Sequence, residues 1–289
     1  MASRNRKLAT PLPSWLNNLL IFGTMATVAL VEMNRPLRQA RQSKLRRDRR
    51  NAAVALLAAA TVSLFEKPVV APLAKSVQRR NLGLLKLVRL PVACELLLAV
   101  VLMDYTLYLW HYLTHKVPLL WRFHLSHHVD LDMDASTALR FHAGELLLSV
   151  PWRAAQVRLL GISPRALVLW QTLTLMEIMF HHSNLRLPLG VENWLCRIIV
   201  TPRMHGIHHS VVRRETDSNW STIFSWPDYL HGTLRLNVPQ QKIVIGVAQY
   251  QNAAELTLGK ILLLPFRDLR RGRAPVREQL SLPRTTLAG

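Results

Sequence analysis

The sequence is poor in acid and in sulfur. It carries 17 Asp and Glu against 37 Lys and Arg, a formal net charge of +20, and two cysteines in 289 residues. Two cysteines, Cys94 in an apolar run and Cys196 beside basic residues, make neither a disulfide framework nor a cysteine metal site. No glycine-rich dinucleotide fingerprint is present, so a bound nicotinamide or flavin is not expected. No repeat at solenoid period is present either. Nor is any nucleic-acid module with interleaved basic and aromatic residues, and a nucleic-acid partner is set aside. Histidine is absent from the first 110 residues and from the last 58.

What is there is apolar. Half of the chain is hydrophobic, and a basic balance joined to long apolar runs points to a membrane with an anionic surface. A spanning helix needs about 20 apolar residues. Trp15–Met33 qualifies; it follows Arg4, Arg6 and Lys7, but no small-residue cleavage site succeeds it, and it reads as a retained helix. Residues 34–51 carry eight cations and read as a solvated loop, cytoplasmic by the positive-inside rule. Ala52–Phe65 is short for a span. If it crossed, the cations of residues 67–89 would lie on the wrong side, so a re-entrant or surface-lying segment is expected within residues 52–89.

Leu90–Trp110 is a full span containing Glu95 and Asp104. Glu145–Leu160 and Arg165–His182, separated by Gly161 and Pro164, read as a helical hairpin that leaves the cytoplasm and returns. Lys242–Ala248 alternates like a short strand, and Leu256–Pro265 is a final apolar, interfacial stretch. The tail from Arg267 to Gly289 is basic. The expected fold class is all-α: an integral membrane helical protein with a membrane anchor and basic loop over 1–89, a catalytic region over 90–250, and an interfacial segment with a basic tail over 251–289.

All 12 histidines lie between His111 and His231. His111 and His115 form H-x-x-x-H; His124, His127 and His128 form H-x-x-H-H; His205, His208 and His209 form a second H-x-x-H-H. At this histidine content, a given position opens an H-x-x-H-H by chance less than about once in ten thousand. Residues at i, i+3 and i+4 share a helix face, so each box presents its imidazoles toward one point. Imidazole suits iron, zinc and copper. Eight ligands exceed what one ion accepts and fit two. His182, at the end of a span, is a ninth candidate. His181, His142 and His231 carry no assigned role. Metal-bound imidazoles pass their second N–H to a carboxylate or carbonyl; Asp104, seven residues before His111, and Glu177, four before His181, are candidates, followed by Glu145 and Asp217. Arg122 and Arg203, each beside a box, read as interfacial cations or contacts to phosphate, and Trp110, Trp121, Trp220 and Trp226 as interface or packing residues.

The run Asp104-Tyr105-x-x-Tyr108-x-Trp110-His111-x-x-x-His115, followed by Leu120-Trp121-Arg122-Phe123-His124-x-x-His127-His128, resembles the fatty acid hydroxylase superfamily. Phe180-His181-His182-Ser183-Asn184-Leu185 and Thr201-Pro202-Arg203-Met204-His205-x-x-His208-His209-Ser210 are similar to its sterol desaturase branch, as are Asp217-Ser218-Asn219-Trp220 and Asp228-Tyr229-x-x-Gly232-Thr233. The likeness covers roughly residues 90–249. It departs at Tyr112, Trp220 and His231, where many members carry Arg, Tyr and Phe, and no box histidine is lost. The resemblance implies two ferrous ions held by His111, His115, His124, His127, His128, His182, His205, His208 and His209. It also implies O2, a lipid substrate, and electrons from a reductase or small carrier. The active site would face the cytosol from a bacterial inner membrane or the endoplasmic reticulum. Hydroxylation and desaturation stay open as outcomes. The rival expectation is a histidine-rich membrane protein that binds or transports metal without oxidising anything.

Overall fold

The structure is a computed structural model and describes residues 13–267. Among them it is helical, with three isolated β-bridges and no strand. The long elements are α1 (Ser14–Asn34), α2 (Lys44–Thr61), α3 (Lys67–Arg80), α4 (Val92–Lys116), α5 (Pro118–His128), α6 (Ala143–Leu160) and α7 (Pro164–His182). Shorter helices follow: α8 (Leu189–Leu195), α9 (Pro202–His208), α10 (Arg213–Thr216), α11 (Trp226–Leu230) and α12 (Leu258–Leu263). Three segments are long and apolar enough to cross a membrane: Ser14–Asn34, Lys44–Lys86 and Val92–Lys116. The chain is thus an all-α membrane protein.

The expected re-entrant segment is not formed. α2 runs through a π turn, Val62–Glu66, directly into α3. Pro68 and Pro72, which have no N–H to donate, lie just past this turn without ending the helix. From Lys44 to Arg80 the rise is about 55 Å, against a hydrocarbon core of about 30 Å. The cations at both ends therefore overhang the apolar middle, and Glu66, Lys67 and Pro68 lie inside a continuous helix.

Local signals set the turns that aim the boxes. Val117 precedes a proline, which disfavours the helical region, and it stands extended at φ −88° and ψ 117°. One residue therefore separates α4 from α5, and Pro118 opens α5 at the position where a missing N–H is harmless. The hairpin of α6 and α7 forms as expected. Gly161 closes α6 at φ +81°, and the Ser163 side chain caps α7 by accepting from the Ala166 N–H. Gly83, at φ +94°, packs against that turn so closely that a Cβ there would meet the Gly161 nitrogen at 2.3 Å. The α3–α4 and α6–α7 connections are thereby pressed together at the end of the bundle away from the boxes.

The basic segment is only partly the solvated loop its composition suggested. Arg35, Arg41, Lys44, Arg46 and Arg49 are exposed, but Arg47 is buried and reaches Asp130 at 3.3 Å and Asp134 at 2.9 Å. Arg140 and Arg50 also pair with Asp130, at 3.3 and 3.0 Å, and Asn51 donates to it at 3.0 Å. Burial alone would raise the Asp130 pKa; the guanidinium groups of Arg140, Arg47 and Arg50 overcome this and hold it down, to about 2. Asp132 accepts from the backbone N–H groups of Arg41 and Gln42. Arg38 lies across Gly206, where any side chain would collide with its guanidinium, and exchanges hydrogen bonds with Asn184. The segment before α2 thus clasps the second box, the end of α7 and the third box at once.

One further expectation changes. Residues 242–248 are not a strand. Ile243 and Ile245 do alternate inward, packing with Met133 and Ile207, but the backbone makes a single bridge, Ser210 to Ile245. In the apolar stretch Leu256–Pro265, Leu256, Ile261 and Leu264 are buried against Val54, Leu125 and Leu131, while Leu263 is exposed. The basic tail lies, apart from Arg267, outside the described residues.

Replacing Asp130 by alanine leaves buried guanidinium groups unpaired, so thermal or denaturant unfolding in detergent should show a loss of about 3–5 kcal/mol. Asp132→Ala, which removes two hydrogen bonds and no buried ion pair, should lose clearly less.

Candidate metal centre

The boxes end on one another. α4 brings His111 and His115, α5 brings His124, His127 and His128, α7 brings His182, and α9 with the residue after it brings His205, His208 and His209. Their ring nitrogens fall into two groups, each with all atoms within 4.8 Å of one another. One contains His111, His115, His124, His128 and His208; the other contains His127, His182, His205 and His209. All nine residues singled out in the sequence are therefore placed in one or other group.

The His111 and His115 box serves one point, as helix-face reasoning suggests, but each H-x-x-H-H box is split. At 100° per residue, i and i+4 differ by about 40°, whereas i+3 turns about 60° the other way. His124 and His128 accordingly join the first group while His127 reaches the second, and His205 and His209 join the second while His208 reaches the first. The exchange brings the groups side by side: the His128 and His209 rings stack with centroids 4.3 Å apart.

The orientation of the rings comes from their other nitrogens. The Nδ1–H of His111 donates to the Trp220 carbonyl and that of His208 to the Ser218 carbonyl, both at 2.8 Å. His181 donates to the Thr222 carbonyl at 3.1 Å and His182 to the Ile178 carbonyl at 2.7 Å. His124 donates to Glu145 at 2.9 Å. A neutral ring that gives its Nδ1–H away keeps a bare lone pair on Nε2. His111, His124 and His208 carry such lone pairs in the first group and His182 in the second. The His182 Nε2 stands 3.0 Å from the Nε2 atoms of both His127 and His205, and His205 is 3.2 Å from His209 in the same way. The Nε2 atoms of His115 and His208 are buried without a partner.

The one lone pair on His182 Nε2 cannot accept from both His127 and His205, and the Nε2 atoms of His115 and His208 have no partner, so nitrogens converging in this way are satisfied by a cation among them. Two nitrogens each about 2.1 Å from one ion and roughly at right angles stand about 3 Å apart. The donor sets therefore fit metal ions. Burial, reinforced by the neighbouring imidazoles, pushes His205 and His209 well below the ordinary histidine pKa, and burial brings His208 down to about 3. All three stay neutral at physiological pH, the form that binds metal.

The carboxylates differ from the expectation. Asp104 touches no imidazole; its two oxygens accept the N–H groups of Ile223 and Phe224 at 3.0 Å. Asp228 takes those of Trp220 and Ser221 in the same manner, and Asn219, at φ +54°, is tied to the Met204 and Arg235 carbonyls. Both aspartates thus hold the segment whose carbonyls hold the histidines. Glu177 lies 3.9 Å from the His181 ring, too far for a hydrogen bond, and Asp217 pairs with Lys116 instead. Glu145, ranked lower in the sequence, is the carboxylate that meets a box imidazole.

His181 stands outside both groups, with its ring 4.1 Å from that of His205. His142 caps α6 by accepting from the Gly144 N–H, and His231 is exposed and meets the Tyr105 hydroxyl at 3.1 Å. Arg203 pairs with Glu192, and Arg122 reaches the Arg267 carbonyl. Trp121 and Trp220 pack on His115 rather than on an interface. The role of the carbonyls of Ser218, Trp220 and Thr222 carried no signal in side-chain chemistry.

A cavity of about 870 Å³ opens from this centre between α1, α2, α3, α4, α6 and α7. His111, His124, His127, His181, His182 and His205 floor it; its walls, including Ile21, Val70 and Met179, are mostly apolar.

The chain is thus an all-helical membrane bundle that folds histidine boxes into two adjoining nitrogen clusters, each able to hold a metal ion, under an apolar cavity. Residues 96–233, just under half of the chain, match the fatty acid hydroxylase family. It is 32% identical over 144 residues to the "ornithine lipid hydroxylase OlsE" of Rhizobium tropici, covering 50% of this chain and 42% of that one. It is 30% identical over 148 residues to a "cholesterol 25-hydroxylase-like protein" of Danio rerio, covering 50% and 57%. It is 28% identical over 152 residues to the alkylglycerol monooxygenase of Homo sapiens, covering 53% and 33%. The chain spans between a third and three fifths of the length of these relatives. No solved structure matches it at a significant level.

Substituting Glu145 by glutamine should leave the fold intact and weaken retained metal by about 10–100-fold, read as metal content after challenge with a graded chelator. Glu177→Gln, which breaks no hydrogen bond to an imidazole, should leave metal content unchanged.

Proposed function

We propose that the chain is a di-iron lipid hydroxylase that inserts one atom of O2 into a C–H bond of a membrane lipid. The observation that carries this is the pair of converging Nε2 clusters at the floor of an apolar, lipid-sized cavity. The match to the fatty acid hydroxylase family and the names of its relatives, which hydroxylate lipids, support it and favour hydroxylation over desaturation. In this reading His111, His115, His124, His128 and His208 hold one iron, and His127, His182, His205 and His209 hold the other. Two ferrous ions so held supply O2 activation at the cavity floor. The overall change consumes O2, two electrons and two protons and returns an alcohol and water.

The chain's own residues bind, orient and exclude. The carbonyls of Ser218 and Trp220 and the Glu145 carboxylate keep the rings of His208, His111 and His124 turned inward, so little reorganisation accompanies the reaction. The apolar walls take the lipid from the bilayer and keep water from the oxidised carbon. Positioning of the C–H group over the cluster decides which bond is broken. Electrons come from a separate reductase or small carrier. The boxes and the basic segment of residues 35–43 lie at the same end of the bundle; we assign that end to the cytosol, of a bacterial inner membrane or the endoplasmic reticulum, on the positive-inside rule. A metal transporter would place ligands along a path; the nine histidines instead gather in two adjoining clusters, seven of them buried and His111 and His115 half-buried.

Membranes bearing the wild type, grown under ¹⁸O2, should contain a lipid with one labelled oxygen that is absent from those bearing His208→Ala or His205→Ala, one variant for each cluster. A lipid lighter by two hydrogens and unlabelled would identify a desaturase instead. Unchanged lipids from an iron-loaded wild type supplied with reductant and a lipid extract would reject oxidation.

A further inference from the structure

The cavity is mostly apolar; Asn17, Lys67, Lys75 and Gln171 are among its polar lining residues, and away from the histidines it also holds one opposed acid–base pair. The π turn of residues 62–66 carries Glu66 into it, 7% exposed. Arg153 of α6 enters from the other side, with its guanidinium 4.2 Å above the Trp170 ring. The two are opposed but not bonded: Arg153 Nε stands 4.0 Å from the Glu66 carboxylate, and that Nε–H is buried without a hydrogen-bond partner. One other nitrogen of Arg153 donates to Gln156.

Ionisable groups set deep between apolar helices are unfavourable and are placed there for a task. A π turn is likewise a local departure from ideal helix, and such departures concentrate at functional positions. A gap of 4.0 Å between a donor and an acceptor is too wide for a direct hydrogen bond and wide enough for one oxygen to stand about 2.8 Å from each. That oxygen must accept from Arg153 and donate to Glu66. A hydroxyl does both. An ether or ketone offers no proton to Glu66, and a carboxylate would be repelled by it.

We propose that Glu66 and Arg153 anchor a hydroxyl group of the lipid substrate, and that this anchor sets which carbon reaches the histidines. The proposal rests on reading the cavity as the substrate site. Arg153 stands eight residues along α6 from Glu145, whose carboxylate holds His124; the helical rise between them is about 12 Å. The substrate class is therefore a lipid alcohol whose hydroxyl and oxidised carbon lie about that far apart, with an apolar body between. Glu66 and Arg153 are positioning residues.

Binding separates this from the oxidation itself. Dissociation constants are measured for the purified full-length protein in detergent with two probe pairs: stearyl alcohol against stearyl methyl ether, and cholesterol against cholesteryl methyl ether. At least one alcohol should bind roughly ten-fold or more tighter than its ether, because the ether leaves the buried carboxylate unpaired. The preference should vanish in Glu66→Leu and survive in part in Glu66→Gln, which keeps an acceptor oxygen. Equal binding of alcohol and ether by the wild type, which needs no variant to fold, overturns the anchor. So does a preference that Glu66→Leu leaves intact. An ¹⁸O-labelled lipid without alcohol preference rejects the anchor alone; alcohol preference without labelling rejects oxidation and leaves the anchor standing.

Discussion

Buried imidazole nitrogens that face one another across about 3 Å are the constraint on which the molecule turns. Nitrogens so placed crowd one another, and the rings of His111, His124, His181, His182 and His208 cannot turn away without breaking a hydrogen bond behind them. Those hydrogen bonds come from the protein's least adjustable atoms: carbonyls at 218, 220 and 222, a helix carbonyl at 178, and one buried carboxylate, Glu145. The carbonyls are fixed in turn, because Asp104 and Asp228 hold the N–H groups of the same segment. A span of α4, a loop and α11 thereby become one frame. The protein supplies strain-bearing geometry before any ion arrives, which is what an ion site needs if its rings are not to be reorganised during reaction.

The segments around this frame close it from outside. Arg47, Arg50 and Arg140 converge on Asp130, two residues beyond the second box, while Arg38 lies over the glycine inside the third. An acid-poor chain has few carboxylates to spend on surface pairs, and it buries Asp130, Asp134 and Glu32 where the basic segment meets the boxes. That distribution turns an excess of positive charge into a clamp between the first two helices and the metal centre.

Much of this was legible along the chain. The boxes were, because i and i+4 spacing is a local property of one helix, and so were the apolar runs that became α1, α4 and the α6–α7 hairpin. What was not legible depended on partners distant in sequence. The split of each H-x-x-H-H between two sites arises from how α5 and α9 face each other. Asp104 was expected behind a histidine by its two-turn offset, yet it holds residues 223 and 224, more than a hundred positions away. Glu66 carried no signal in the sequence, because its counterpart Arg153 lies 87 residues further along the chain. Residues 242–248 alternated as a strand would, but only Ser210 comes alongside to make a bridge. Main-chain acceptors such as the Trp220 carbonyl leave no trace in composition at all.

The segment of residues 218–222 orients His208, His111 and His181 through main-chain carbonyls, at every second residue. That hold depends less on the side chains at 218, 220 and 222 than on how many residues there are. Such a stretch is held to its length: one residue gained or lost would turn all three carbonyls from their rings together.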